Sequence, residues 1–129
     1  MSRTPAQRAE AELTAFGLSL PETDIAPGFG TTRYMRVAGK GFAVFGDRGE
    51  TADDFTLTVK LPISADMASH LPFVRESRGW YKQHNWVIAH FGPEDDVFAE
   101  LDTLKAWMRQ SYVAVAPKRL GRLVVGQGS

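Results

Sequence analysis

The chain has 129 residues, of which 43% are hydrophobic and 23% are charged, a length and composition typical of one globular domain. It contains no cysteine, which excludes disulfides, cysteine-ligated zinc, iron–sulfur clusters and thiolate catalysis. The formal net charge is zero, so binding of nucleic acid would need a local basic patch rather than a basic chain.

The first segment predicts a helix followed by an irregular connection. Thr4 is a typical N-cap and Pro5 fits the first helical turn, so we expect a helix over residues 5–16. The next run, GLSLPETDIAPGFG, contains prolines and glycines that interrupt both helices and strands. We therefore expect an ordered but irregular connection over residues 17–30.

Three strands are predicted next. TTRYMRV and KGFAVFG predict a β-hairpin that turns at Ala38 and Gly39. DFTLTVKL then alternates, with Phe55, Leu57 and Val59 on one face and polar residues on the other. This alternation predicts a sheet with one buried face.

The middle of the chain predicts a short helix and a second hairpin. Ser64 can cap a helix in SADMASHL, and Pro72 ends the pattern. Two further strands, Arg78–Lys82 and Asn85–Phe91, are joined by a turn so short that they must pair antiparallel.

The last helix has the strongest periodic pattern. Pro93 is expected in its first turn, and Pro117 is expected to end it. Apolar residues recur at three- and four-residue spacing, as in a helix that packs on a core: Val97, Leu101, Leu104, Met108, Tyr112 and Val115. Residues 118–129 are expected to form a partly mobile tail.

The element order is α-β-β-β-α-β-β-α, which predicts an α+β two-layer sandwich with a mostly antiparallel, five-stranded sheet. We expect a single domain over residues 1–129 with its core at about residues 5–117. The segment MSRTPAQRAEAEL lacks the apolar run of a signal peptide, and no run is long enough for a membrane span. A cytoplasmic protein without membrane association is therefore expected.

The sequence predicts neither a metal site nor a cofactor. His84 and His90 lie six residues apart in a predicted strand, which separates them by ~20 Å at ~3.3 Å per residue. GKGFAVFG matches neither the dinucleotide-binding nor the phosphate-binding glycine motif. There is no nucleophile-elbow sequence, so we expect a protein that is not an enzyme, although an active site assembled from distant residues would leave no motif.

Cations and aromatic side chains alternate along the two predicted hairpins. Such a β-ribbon could contact phosphates and stack on bases. The ordinary alternative is that these are solvated charges that protect strand edges from aggregation. The candidate nucleic-acid-binding residues are Arg33, Arg36, Lys40, Arg75, Arg78, Trp80, Lys82 and His84.

Several separated segments resemble the MmcQ/YjbR family of small bacterial proteins: RYMRVAGKGFAVF, LTVKL, NWV and LKAWMRQSYVAVAPK. The resemblance implies a frataxin-type or secretion-chaperone-type α+β fold. It also implies a DNA-binding protein whose two hairpins act as wings, without a catalytic residue set. Among its recurring positions, Phe42, Trp86 and Tyr112 are expected to be structural anchors.

Two other functions stay open from the sequence. A protein-interaction module could use the sheet edge or the Phe98 and Trp107 flank of the last helix, in a monomer or a weak homodimer, although the favoured alternative is that both rings widen the buried face of that helix. A small-ligand protein or enzyme could use a pocket between the sheet and residues 17–30, near Tyr34, His70 and His84.

Overall fold

A computed structural model describes residues 4–28, 32–46, 54–75 and 79–127. Its strands are β1 (Thr23–Pro27), β2 (Arg33–Val37), β3 (Lys40–Phe45), β4 (Phe55–Lys60), β5 (Val74–Arg75) and β6 (Trp86–Phe91). Its helices are α1 (Pro5–Leu18), α2 (Ala65–Ala68), α3 (Trp80–Gln83), α4 (Leu101–Val115) and α5 (Lys118–Gln127), with a 3₁₀ turn at Val97–Glu100. The α+β class predicted from the sequence is confirmed.

The strands form an open antiparallel sheet in the order β1-β2-β3-β4-β6-β5. The described part of the chain contributes six strands, where five were predicted, because residues 17–30 include the edge strand β1, while β5 replaces the strand predicted at residues 78–82. β1 pairs with β2 from Thr23 opposite Val37 to Pro27 opposite Arg33. Its sequence, TDIAP, lacks an apolar alternation, and its proline is tolerated because it lies at the end of an edge strand.

The predicted second hairpin is wrong. Trp80–Lys82, expected inside a strand, belong to the single helical turn α3, and β6 pairs instead with β4 and with the two-residue strand β5. Gly79 and Asn85 flank α3 with φ angles of 58° and 63°, a left-handed conformation that ends extended structure on both sides.

One face of the sheet carries α1 and α4. The other face is also buried at Thr56 and Thr58 of β4, so the prediction of a sheet with only one buried face is wrong. α4 packs on β3 and β4, and α1 packs against α4. The core between the two layers includes Leu13 of α1, Leu57 and Val59 of β4, and Leu104 and Met108 of α4. The apolar stripe predicted for the last helix is therefore the surface that packs on the sheet, although α4 itself begins at Leu101, later than expected, after the 3₁₀ turn.

The C-terminal region also differs from its prediction. Pro117 does follow the end of α4, but residues 118–127 form α5 rather than a tail. Leu120 and Val124 are buried, and Gly121 lies next to Val113 of α4. The four-residue spacing of Leu120 and Val124 gives α5 an apolar face that packs on the core.

Polar links from α4 tie the helix layer to the sheet. The buried Ser111 hydroxyl donates to the carbonyl oxygen of Phe42 and accepts from the backbone N–H of Lys60 at 2.9 Å, so it bridges β3 and β4. The buried Tyr112 hydroxyl donates to the carbonyl oxygen of Pro21 at 2.7 Å, and its ring meets the Phe42 ring edge-on at 5.5 Å. Phe42 and Tyr112 thus lie at the junction of the two layers.

Candidate functional site

The cations of the first hairpin are held by carboxylates. Arg33 donates to Glu10 of α1, with 2.6 Å between Nε and Oε2. Arg36 forms a two-pronged pair with Asp24 of β1, at 2.8 and 3.0 Å. Both pairs offset the positive charge that phosphate contacts would require.

Asp24 lies directly opposite Arg36 in the β1–β2 register. The hydrogen bond from Arg36 holds the pKa of Asp24 below its usual value, and the same bond raises the pKa of Arg36. Lys40 stays exposed after a turn in which Ala38 and Gly39 have φ angles of 51° and 81°. Sequence analysis missed these pairs because it predicted no β1 strand and could not place Glu10.

The second group of predicted contact residues occupies several elements. Arg75 is partly buried on β5, Trp80 begins α3, and Lys82 and His84 are exposed in and after α3. Arg78 lies outside the described residues. The structure therefore replaces the predicted basic ribbon with a short strand and a helical turn.

These elements border a groove of about 570 Å³ between α2, α3 and the sheet edge at β5 and β6. A volume of this size is typical of ligand-binding clefts. The groove is lined by Ala65, Asp66, Ser69, His70, Val74, Lys82, Asn85, Trp86 and Val87. We call it the α2–α3 groove.

Trp86 connects the groove to further positive charge. Trp86 lies directly opposite Lys60 of β4. Arg75 of β5 lies opposite Ile88, and Ile88 is two residues after Trp86 in β6, so Arg75 is on the same face of the sheet as Trp86. Asp66 is the one carboxylate among the groove-lining side chains that the structure describes. The surroundings of Trp86 are therefore cationic, although the whole chain is neutral.

Trp86 does not have the role expected of it. It was predicted to anchor the core, but it is partly buried and lies outside the core cluster of the described residues. Its face of β6 points away from α1 and α4, whereas Val87 and Ala89 point toward them. A tryptophan in a groove offers a flat apolar surface to a ligand.

The backbone around the groove is fixed by α4. The side-chain oxygen of Gln110 accepts from the N–H groups of Ile63 and Ser64 at 3.1 and 3.2 Å, and its nitrogen donates to the Ser64 hydroxyl at 2.9 Å. On the other side, the Leu61 N–H donates to the carbonyl oxygen of Asn85 at 2.8 Å. These bonds hold the segment before α2 against both α4 and the loop after α3.

Two large apolar side chains in and just before α2 are highly exposed. Ile63 is 86% exposed and Met67 is 78% exposed, the highest values among the large apolar side chains of the described ranges. Ala68 is the buried residue of α2. A helix of one turn has too few residues to define its buried face from the sequence.

The other predicted sites are not assembled. Tyr34 packs so closely against Gly28 that a Cβ at residue 28 would lie 1.8 Å from the tyrosine ring. His70 lines the α2–α3 groove and His84 follows α3, so the three residues lie on different elements. Residues 23–27 of the supposed pocket wall form part of the sheet. A smaller concave site, of about 230 Å³, lies at the start of α1 and is lined mainly by apolar residues.

Trp107 and Phe98 do not form an exposed flank. Trp107 is only 7% exposed, and its ring centroid lies 5.7 Å from that of Phe73. Phe98 is partly buried, with the Arg8 guanidinium 5.1 Å from its ring centroid. The alternative in which these rings widen the buried face of the last helix is the one that the structure supports.

His90 forms a contact that sequence analysis missed. Its Nε2 lies 2.9 Å from Oδ2 of Asp54, whose side chain is almost fully buried. Among the residues that the structure describes, no group of three or more His, Cys, Asp or Glu side chains could hold a metal ion. None of the described helices is long and apolar enough to cross a membrane.

Comparison of the sequence with models of known protein families and with curated proteins finds no match. The resemblance to the MmcQ/YjbR family therefore stays a prediction.

Proposed function

We propose that this protein binds nucleic acid, without catalysis and with little sequence preference, and that the α2–α3 groove is the main contact surface. The observation that carries the proposal is the presence of Lys82 and Trp86 in the lining of one groove, with Lys60 and Arg75 on the face of the sheet that carries Trp86. Cations attract phosphates, and an aromatic ring can stack on a base of any identity.

The first hairpin contributes less in this proposal than the sequence suggested. Arg33 and Arg36 would have to leave Glu10 and Asp24 before they could contact phosphates. An exposed ion pair contributes little to stability, so the exchange is feasible, but breaking the pair removes most of the electrostatic gain. Lys40 is the cation of that hairpin best suited to an additional contact.

Membership of the MmcQ/YjbR family is part of the same proposal. What supports it is the α+β class together with the positions of the family-like residues: Ser111, Tyr112 and Phe42 meet where α4 joins the sheet. The DNA-binding name of that family agrees with the lysine and arginine residues on the elements around Trp86. Its two-wing arrangement would need revision for this chain, because Trp80–Gln83 is helical.

The proposal is tested by fluorescence anisotropy with labelled single-stranded and duplex DNA at about 50 and about 200 mM salt. We expect micromolar dissociation constants at the lower salt concentration and much weaker binding at the higher one. Lys82→Glu should weaken binding at least about fivefold and reduce the salt slope by about one or more.

Lys118→Glu is the matched control, because Lys118 is exposed on α5 and the charge change is identical. It should leave the affinity within about twofold of wild type if the groove is the site. Absence of binding at the lower salt concentration would refute the proposal. Equal losses in the two variants would show that net charge, not the groove, governs binding.

A second candidate function is self-association through β1, which is an edge strand. The observation that favours it is the exposure of Ile25 on this strand and of Leu18 at the end of α1. An edge strand with apolar side chains can pair with another strand. Sedimentation velocity over a range of protein concentrations tests it: Ile25→Lys should abolish any dimer, and a wild-type monomer throughout would remove this candidate.

A further inference from the structure

β1 is an edge strand whose outer side is open. It pairs with β2 on one side only, and Asp24, Ile25 and Pro27 of this strand are exposed. Unpaired backbone groups on such an edge can accept a further strand. Which groups are unpaired decides which strand fits.

The β1–β2 ladder determines which backbone groups of β1 point outward. The Gly28 N–H donates to the Thr32 carbonyl oxygen at 2.8 Å, so these two residues form a hydrogen-bonded pair of the antiparallel ladder. Hydrogen-bonded and non-hydrogen-bonded pairs alternate along such a ladder. In the observed register, the residues whose backbone groups face away from β2 are therefore Thr23, Ile25 and Pro27.

A second copy of the same strand fits this pattern in an antiparallel register centred on Ile25. There the Ile25 N–H donates to the carbonyl oxygen of the partner's Ile25, and the reverse bond forms as well. The Thr23 N–H donates to the carbonyl oxygen of the partner's Pro27. A register centred on Pro27 would lose the central hydrogen bonds, because proline has no N–H. A register centred on Thr23 would place Ile25 opposite residue 21, outside β1.

The side chains beside this edge include exposed apolar residues. Ile25 lies opposite the buried Met35, on the face of the sheet that carries α1 and α4, and it is 39% exposed. Leu18, at the end of α1, and Leu123 of α5 are also exposed. α1 packs on β1, and an ion pair ties α5 to the residue that precedes β1. A second copy would therefore cover apolar side chains as well as backbone groups.

Charge does not oppose this pairing. In the register centred on Ile25, Asp24 lies opposite the partner's Ala26, and its carboxylate is already paired with Arg36. The other edge of the sheet, β5, has only two residues, so it offers no similar strand to continue the assembly. A two-fold contact that uses the same surface of both copies closes as a dimer.

We infer that two copies of this chain pair through β1 about a two-fold axis at Ile25 and join their sheets into one continuous sheet. This inference rests on the second candidate function, self-association, and specifies its register and contacts. The α2–α3 groove lies at the opposite edge of the sheet, so both grooves stay outside the interface. Dimer formation is therefore independent of nucleic-acid binding.

The test uses the full chain in sedimentation velocity from about 5 to about 500 µM, because an interface built on one short strand is expected to be weak. Wild type should form a concentration-dependent dimer. Ile25→Lys should weaken that dimer at least about tenfold, because two like charges would then lie directly opposite each other. Ile63→Lys is the matched control, since it introduces the same charge at an exposed isoleucine outside β1, and it should dimerise like wild type.

Disulfide formation in single-cysteine variants tests the register, because the chain contains no cysteine. In the inferred register the Cα atoms of residue 25 in the two copies lie ~5.5 Å apart, within the range of a disulfide. Those of residue 27 lie ~13 Å apart along the strand, which is too far. Mild oxidation should therefore cross-link Ile25→Cys but not Pro27→Cys, as read by denaturing gel electrophoresis.

The outcomes separate this inference from the proposed functions. A dimer that Ile25→Lys disrupts, but in which Ile25→Cys cross-links no faster than Pro27→Cys, would overturn the register and leave self-association through β1 in place. A wild type that stays monomeric at about 500 µM, or a dimer that Ile25→Lys leaves intact, would overturn both. Nucleic-acid binding is tested separately by the anisotropy titrations and stands or fails independently of these results.

Discussion

Replacing Ser111 by alanine tests how the helix layer positions the groove. The Ser111 hydroxyl is fully buried, donates to the Phe42 carbonyl oxygen and accepts from the Lys60 N–H. Ser111→Ala removes both bonds and leaves two backbone polar groups without this partner. Each such group costs about 1–3 kcal/mol, so we expect a loss of about 2–6 kcal/mol in the free energy of unfolding.

The assay is urea unfolding followed by tryptophan fluorescence and circular dichroism. The midpoint should fall while the slope stays constant, and the melting temperature should fall by roughly 3–5 °C for each kcal/mol lost in a chain of this size. In hydrogen exchange, the Lys60 amide should exchange faster in the variant, because it has lost its acceptor.

Ser69→Ala is the matched control, because the Ser69 hydroxyl donates to the Asp66 carbonyl oxygen at an exposed site. It should change the free energy of unfolding by less than about 0.5 kcal/mol. If Ser111→Ala proves as mild as Ser69→Ala, the bridge between β3 and β4 does not stabilise the fold and the reasoning is refuted.

Three further predictions concern the core and the ionisable groups. Trp107→Ala should destabilise the fold by about 3–5 kcal/mol in urea unfolding, because Trp107 is buried. A change below about 1 kcal/mol would contradict the burial of Trp107. Burial raises the pKa of Tyr112 above its usual 10.0, so stability should fall as pH rises past 10.0 while unfolded chains ionise. Tyr112→Phe should reduce this alkaline loss in thermal melts across pH, and an unchanged pH dependence would contradict the assignment. Arg36 holds the pKa of Asp24 below 3.8, so their pairing should stabilise the fold above pH 3.8, and this stabilisation should be lost as pH falls through the lowered pKa. Asp24→Asn should remove that part of the dependence of stability on acid pH. Identical acid unfolding curves for the variant and wild type would show that the pair does not contribute.

The parts of the fold that the sequence predicts are those with a repeating pattern. The stripe through Leu104, Met108 and Tyr112 identifies a helix that packs on the sheet, and the alternation in Phe55–Lys60 identifies β4. The first hairpin is predicted because Ala38 and Gly39 form a turn between two apolar runs.

The missed elements lack such patterns or depend on distant partners. TDIAP becomes a strand because β2 offers an edge with free backbone groups, a tertiary effect that its composition does not encode. WYKQ resembles a strand in composition but lies between Gly79 and Asn85, whose left-handed backbone is visible only in the structure. α5 has a helical pattern in Leu120 and Val124, and that signal could have been read from the sequence.

The candidate site was predictable in its residue types but not in its location. Lys82 and Trp86 were singled out, yet the groove that joins them depends on α2, which Gln110 holds from 46 and 47 residues away in the chain. In the same way, the ion pair that offsets the charge of Arg33 depends on Glu10, 23 residues earlier in the chain. Contacts between residues so far apart leave no spacing pattern in the sequence.

The most direct test of the account is an NMR titration of the isotopically labelled protein with a short oligothymidine, which reports the contact surface residue by residue. The account predicts that the largest amide shifts occur in residues 63–70 and 82–87, around the α2–α3 groove, with small shifts in residues 33–40. Shifts centred on the first hairpin would contradict it, and so would a spectrum that does not change at millimolar oligonucleotide.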